Sequence, residues 1–251
     1  MVIRTWNLFH GNTVPPGRRA YLREMVELIT ADRPDIVCLQ ELPGWALSEL
    51  EGWSRMSAIP VLVRGASLGP LSIPAGLGRA LTAPHHGIIR SAFEGQGMAI
   101  LVSRELELVS SASTGINDPV RGREPRAAQL VELQLPNSAR AVVLNTHITN
   151  AGDPAVCDAE LERAIRWLGE ATPEGAVTIL AGDFNVTPER SSVIPALTPP
   201  FSAAFPNSID QILVRGAQVE TARVWPEDDR SFGHRLLSDH APLEVTLRVG
   251  E

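Results

Sequence analysis

The stretch Val177-Thr178-Ile179-Leu180-Ala181-Gly182-Asp183-Phe184-Asn185 constrains this chain more than any other. Val177 to Ala181 is apolar or β-branched throughout and reads as a short buried strand, with Gly182 allowing the backbone to turn at its end. Asp183 and Asn185 follow, two residues apart. In extended chain, residues i and i+2 face the same side, so the carboxylate and the carboxamide would aim together off the sheet while Phe184 packs back. A base and a hydrogen-bonding orienter would then share one rigid support. A Gly-Asp pair after a strand is often only a turn, so the weight rests on what the remaining chain brings beside it.

The same arrangement recurs along the sequence. Val2 to Trp6 reads as a strand that delivers Asn7, and Ile36 to Leu39 hands over Gln40-Glu41. Arg140 to Asn145 closes on Thr146-His147, Ile209 to Val214 carries Asp210 near its start, and Ser238-Asp239-His240 precedes the strand Pro242 to Val249. Between Arg18 and Ala31, apolar Leu22, Met25, Val26 and Ile29 recur at helical spacing, and Arg33-Pro34 ends the run. A second helix is expected from Asp153 to Glu170, with Leu161, Ala164, Ile165 and Leu168 on one face and acids on the other. A short helix or turn is expected near Ser191 to Leu197. This alternation predicts an α/β chain. Closely spaced strands at Met98 to Val102, Glu107 to Ala112, Arg126 to Leu135 and Arg140 to Asn145 point to antiparallel meanders inside it. With no internal repeat and no boundary, residues 1–251 are expected to form a single domain.

Pro60 to Gly97 is rich in glycine and proline and is expected to be a poor core element and a good active-site rim. Taken singly, its Arg79, His85, His86 and Arg90 read as solvated loop side chains.

Composition narrows the partners. A net charge of -7 excludes a protein that coats a long polyanion through a broad basic face. A small positive pocket stays compatible with it, because a bound cation reverses the local field. Neither Cys38 nor Cys157 belongs to a Cys-x-x-Cys pair, and Cys38 lies in an apolar run where a buried structural thiol is expected. No charged leader and no bilayer-length apolar run is present, so the expectation is a cytoplasmic protein without a transmembrane segment. Oligomeric state is not legible.

The recurrent polar residues suit one chemistry. A phosphodiester repels an incoming hydroxide, and its hydrolysis needs ~20 kcal/mol of barrier reduction. General acid–base work supplies only about 10²–10⁴-fold, so a divalent cation is expected. Glu41, with Asn7 and Asp239, would form a hard oxygen site suited to Mg²⁺. Asp183 would orient and deprotonate water, and Asn185 would hold that water or a phosphate oxygen. His147 and His240 would donate to oxygens as charge develops. Asp210 would fix one imidazole, His240 being the expected partner, and raise its pKa. Alone, Asp210 would be read as the partner of an arginine and His147 as a hydrogen-bonded core histidine; the recurrence of such residues at so many strand ends argues otherwise.

At Thr5-Trp6-Asn7, Leu39-Gln40-Glu41, Asn145-Thr146-His147, Gly182-Asp183-Phe184-Asn185, Ile209-Asp210-Gln211-Ile212 and Ser238-Asp239-His240 the chain resembles the endonuclease/exonuclease/phosphatase superfamily. The resemblance implies a four-layered α/β sandwich, two mixed β-sheets packed face to face with helices outside, and a Mg²⁺- or Mn²⁺-dependent phosphoesterase. It implies the roles given above, and it places Arg126 and its neighbour Arg123 near the substrate. The segment before Asp210 lacks the tryptophan usual in abasic-site endonucleases. The leading expectation is a phosphodiesterase, an endonuclease being one form, with a phosphate ester or nucleic acid as partner. The alternatives are hydrolysis of a small phosphorylated metabolite, inositol phosphate or lipid headgroup, and a catalytically silent binding protein that keeps the fold. A two-metal enzyme with Asp-x-His and Gly-Asn-His blocks, or a His-Glu-x-x-His zinc hydrolase, finds no matching residues.

Overall fold

A computed structural model describes residues 1–89, 92–117, 124–136, 138–203 and 205–249. Twelve strands form its two large sheets: β1 (Val2–Asn7), β2 (Ile36–Leu42), β3 (Ser57–Arg64), β4 (Gln96–Val102), β5 (Glu107–Gly115), β6 (Ala127–Gln134), β7 (Arg140–His147), β8 (Val177–Asp183), β9 (Ser202–Ala203), β10 (Asp210–Arg215), β11 (Gln218–Val224) and β12 (Leu243–Arg248). The first sheet runs β11-β12-β1-β2-β4-β3 and the second β9-β10-β8-β7-β6-β5. Each holds one parallel pair at its centre, β1 with β2 and β7 with β8, flanked by antiparallel neighbours. Both sheets are therefore mixed; β5-β6-β7 forms an antiparallel meander as expected, whereas Met98 to Val102, expected beside them, lies in β4 of the other sheet.

Three apolar layers bind four structural ones. Ile3, Ile36, Ile100, Val131, Val143, Ile179, Ile212 and Val245 interleave between the sheets. Leu22, Met25, Val26 and Ile29, on one face of the helix Leu22–Ile29, cover Trp6, Val37 and Leu39 on the outside of the first sheet. Leu161, Ala164 and Leu168 of the helix Pro154–Ala171 cover Val142, Leu144 and Leu180 on the outside of the second. The α/β chain is thus the one the alternating sequence pattern calls for, and the four-layered sandwich the one the family resemblance implies. Truncating a residue such as Ile179 to alanine would cost roughly 2–5 kcal/mol.

Three local expectations are corrected. The helix Pro154–Ala171 starts as predicted, with Asp153 accepting a hydrogen bond from Ala155 N at 3.0 Å. Its acids do not all face solvent: Asp158 accepts from Ser191 and Ser192, and Glu160 from the Thr149 amide and hydroxyl. Pro60 to Gly97 is not only a loop: it contributes most of β3 at one end and the start of β4 at the other, with helices Ala75–Thr82 and His86–Ile89 between. Pro60 is tolerated because β3 is an edge strand. Gly182 lies inside β8 instead of stopping it, opposite Thr146 of β7. Its φ is +136°, and a Cβ there would stand 1.9 Å from the Thr146 carbonyl oxygen. Glycine at this point lets the two parallel backbones approach.

Buried charge also ties the layers. Arg4, 1 % exposed, donates to Asp32, Glu244 and the Ile29 carbonyl, and its guanidinium lies 4.9 Å from the Trp225 ring. One residue of β1 thereby fastens β12 and the end of the first helix to the sheet. No helix among the described residues is long and apolar enough to cross a membrane.

Candidate active site

Strand register gathers the site. Asn7 lies beside Gln40 at the ends of β1 and β2, His147 beside Asp183 at the ends of β7 and β8, and Asp183 beside Asp210 at the start of β10. All these positions lie on one edge of the sandwich, where the two sheets meet.

Local distortions aim the side chains. The pairing of β2 with β4 shifts register between Leu39 and Leu42, and Glu41 inside that bulge has a φ of 53°. Gln40 consequently turns inward, donating to Thr5 Oγ1 and Asn145 Oδ1, while Glu41 is free to face the site. Ser238, at φ 61°, locks the turn before β12: its hydroxyl donates to the Asn7 carbonyl at 2.7 Å and accepts from His240 N at 3.1 Å. Trp6 Nε1 donates to the His240 carbonyl at 2.9 Å, and buried Arg230 donates to the carbonyls of Leu237, Ser238 and His240. Left-handed backbone also occurs at His10 and Asn185, so these deviations gather around the site.

Asp183 is its centre and is fully buried. Asn7 Nδ2 donates to its Oδ2 at 2.9 Å and Asn185 N to its Oδ1 at 2.9 Å. His147 Nε2 and His240 Nε2 stand 3.5 and 3.9 Å from Oδ2. Burial, reinforced by the charge of Asp210, raises the Asp183 carboxyl to about 7 against the lowering effects of His240, Asn7 and the Asn185 amide. Asn185 departs from the extended geometry expected of it, at φ 51°, and its side-chain amide donates to the Ile148 carbonyl at 2.9 Å.

The two histidines are held in opposite states. His240 Nδ1 is 2.8 Å from Asp210 Oδ2. Burial alone would lower its pKa, but the hydrogen bond to Asp210 and the charges of Asp210, Asp183 and Asp239 outweigh this and raise it to about 10. His147 is pushed well below its ordinary value by burial and by the charge of Arg126. Arg126 Nη1 lies 3.0 Å from His147 Nδ1 and 3.4 Å from Nε2, so it sits against the face of the neutral ring and leaves the tautomer open to the other partners of the imidazole.

Glu41 Oε1 is 3.7 Å from His147 Nε2 and its Oε2 is 3.5 Å from His10 Nε2. Burial raises the Glu41 carboxyl, although Asn7 hydrogen-bonds to it. His10 gives no compensating charge, since burial and the neighbouring His86, Arg64 and Arg126 lower it to about 3. Glu41 is therefore a half-buried carboxylate beside neutral imidazoles, and its oxygens fit a hard divalent cation. Asp239, the most exposed member, reaches within 4.0 Å of His240 Nε2. A second geometric grouping exists: ligand atoms of Asp183, Asp210 and His240 lie within 4.8 Å of one another. His240 is poorly suited to ligate, because its Nδ1 is engaged by Asp210 and its raised pKa keeps it protonated.

The structure thus brings together Asn7, Glu41, Arg126, His147, Asp183, Asp210, Asp239 and His240, with Asn185 joined to Asp183 through its backbone N–H. Arg123 and Arg90 lie outside the described residues. Of the loop residues, His86 is buried and meets the His10 carbonyl through Nε2 at 2.8 Å. Sequence reasoning missed His10, whose signal was a histidine three residues beyond Asn7. It also missed Arg64 and Gln96, cross-strand partners on β3 and β4.

A family model described as the endonuclease/exonuclease/phosphatase family matches residues 5–240, from the strand that bears Asn7 to His240 itself. The chain belongs to that family. Endonuclease/exonuclease/phosphatase proteins hydrolyse phosphoester bonds, and this member falls in that class. Among solved structures, it is similar to a functionally unknown conserved protein from Enterococcus faecalis V583, with a TM-score of 0.75 and 18% identity over 100% of both chains. It is also similar to the Bacteroides thetaiotaomicron VPI-5482 mannosyl-6-phosphatase Bt3783, with a TM-score of 0.70 and 16% identity over 99% of each chain. A third is the human Nocturnin catalytic domain with bound sulfate, with a TM-score of 0.71 and 18% identity over 99% of this chain and 94% of that one. These likenesses establish the family's four-layered fold. No curated protein matches the chain in a sequence search.

Proposed function

We propose that this family member is a divalent-metal-dependent hydrolase of phosphodiester bonds, with Asp183 as general base. The observation that carries the reading is the environment of Asp183, a fully buried carboxyl raised to about 7 and hydrogen-bonded by Asn7 and Asn185. A base with a pKa near the operating pH combines a large ionised fraction with a strong pull on the proton of water. Glu41, Asn7 and Asp239 would hold Mg²⁺ or Mn²⁺, which when bound stabilises negative charge on phosphoryl oxygens as a Lewis acid.

The protein's own groups divide the remaining work. Neutral His147, with Arg126 against its ring, would offer Nε2–H to a non-bridging oxygen. The His240 imidazolium, held by Asp210, donates toward a phosphoryl oxygen as charge develops there. Asn185, whose side-chain amide is anchored on Ile148, positions water against Asp183 through the remaining carbonyl.

A second reading, hydrolysis of a small phosphate ester, is supported by the net charge of -7, which disfavours a long polyanion. A silent binding protein is the third reading, and the full set of carboxylates and histidines argues against it. The test is hydrolysis of duplex DNA, bis(p-nitrophenyl) phosphate and sugar monophosphates, each with Mg²⁺ and with EDTA. Metal-dependent turnover of the diester is expected; turnover of monoesters alone would favour the second reading, and none at all the third.

A further inference from the structure

We infer that Arg64, Arg126 and Gln96 form an anion subsite beside His147, which selects phosphoesters carrying a second phosphoryl group, and that Glu124 occupies it when substrate is absent. The inference deepens the phosphoesterase reading and rests on it for the identity of the neighbouring centre.

Three segments build the cradle. Arg64 ends β3 and is the register partner of Gln96, which starts β4, and Arg126 immediately precedes β6. Arg64 Nη2 lies 3.2 Å from Glu124 Oε1 and Arg126 Nη2 lies 3.4 Å from Glu124 Oε2. The Gln96 amide can face either way: with its nitrogen donating to Glu124 Oε1 at 3.2 Å its oxygen accepts from Arg126 Nη1 at 3.0 Å and from a protonated His147 Nδ1 at 3.2 Å, and in the opposite orientation its nitrogen donates to Nδ1. Two guanidiniums thus converge on one carboxylate, and the amide joins them in the first orientation. A phosphoryl group would be gripped by the same donors, since planar guanidinium forks match both anions.

Unused donors point the same way. Arg126 is 9 % exposed, yet its Nε has no hydrogen-bond partner among the described residues, and the buried Nε of Arg64 has none either. A single carboxylate leaves both guanidiniums undersatisfied; a phosphoryl group brings more acceptor oxygens. The occupant is also the most exposed member of the group, its side chain being 40 % exposed. Asn117 holds its backbone, donating to the Glu124 carbonyl at 2.7 Å and accepting from Arg126 N at 3.0 Å, so the side chain can swing out while the strand stays. Arg126 meets His147 Nδ1 at 3.0 Å, and His147 Nε2 faces Asp183 and Glu41. The second anion would therefore sit one imidazole away from the reacting phosphate.

The test measures binding by calorimetry in metal-free buffer, using hexane-1,6-diphosphonate, whose two phosphoryl groups are separated by a flexible chain and are not hydrolysed, against hexylphosphonate, which carries one. The wild type should prefer the two-group probe. Arg64→Ala and Arg64→Gln should each cut that preference about tenfold, the effect of one hydrogen bond to a charged group. Glu124→Ala should tighten the two-group probe severalfold, because the internal competitor is gone; a merely structural Glu124 would not do this. An unchanged preference in both Arg64 variants, or weaker binding in Glu124→Ala, overturns the subsite. Turnover of bis(p-nitrophenyl) phosphate with Mg²⁺ is read separately: if it is absent while the preference still depends on Arg64, the subsite stands and the catalytic reading falls.

Discussion

His240 Nδ1 lies 2.8 Å from Asp210 Oδ2, joining the turn before β12 of one sheet to the start of β10 in the other. The contact holds the imidazole as a cation across neutral pH, with its pKa raised to about 10. A group that must donate a proton loses function as pH rises through its pKa. Asp210→Asn removes the hydrogen bond and charge that raise it, leaving burial to lower it, so the alkaline limb of kcat/KM should move down by more than a unit. A pH–rate profile of the variant checks this, and a limb that stays in place would count against His240 as the donor.

Glu41 stands beside two imidazoles kept neutral, so its charge is left for a cation. Glu41→Gln should raise the Mg²⁺ midpoint of activity at least about tenfold, as losing a ligand or its support does. Circular dichroism of the metal-free variant should match wild type. An unmoved midpoint removes Glu41 from the metal site.

Gly182 tests the close approach of β7 and β8. A methyl group there meets the Thr146 carbonyl oxygen, at a backbone conformation L residues rarely adopt. Gly182→Ala should cost roughly 3 kcal/mol or more, as overpacking against backbone does, measured by urea unfolding. A loss below about 1 kcal/mol would show that the strands can separate.

Glu94 is 1 % exposed, and burial raises its carboxyl from 4.5 to about 7 despite Trp45, Arg79 and Thr82. Between those values the folded chain binds more protons than the unfolded one, so this group makes stability fall as pH rises from 4.5 to 7 and adds no further slope above 7. The fall should be about 3 kcal/mol. Glu94→Gln should flatten that part of the profile, read from chemical unfolding at pH 4.5 and 7.5, and an identical slope in the variant would refute the assignment.

Much of this was legible in the chain because a strand that ends at a sheet edge writes its purpose in one place. Apolar runs terminating in Asn7, Glu41, His147 and Asp183 gave both the layers and most of the site. What was hidden needed pairing information. Arg64 and Gln96 meet only because β3 and β4 are neighbours, and the prolines and glycines between them resembled a loop. Gly182 looked like a stop until its register opposite Thr146 was known. Asp158 and Glu160 fall on a face that periodicity assigns to solvent, but the Ser191–Ser192 turn and Thr149 fold over them.

The account turns on Asp183 as the base. Its carboxylate oxygens accept from Asn7 and Asn185, so Asp183→Asn keeps the shape of the side chain while removing the proton acceptor. With Mg²⁺ saturating and folding verified by the unfolding midpoint, kcat on a model phosphodiester should fall on the order of 10²–10⁴-fold. A variant that retains wild-type kcat would contradict the account at its centre.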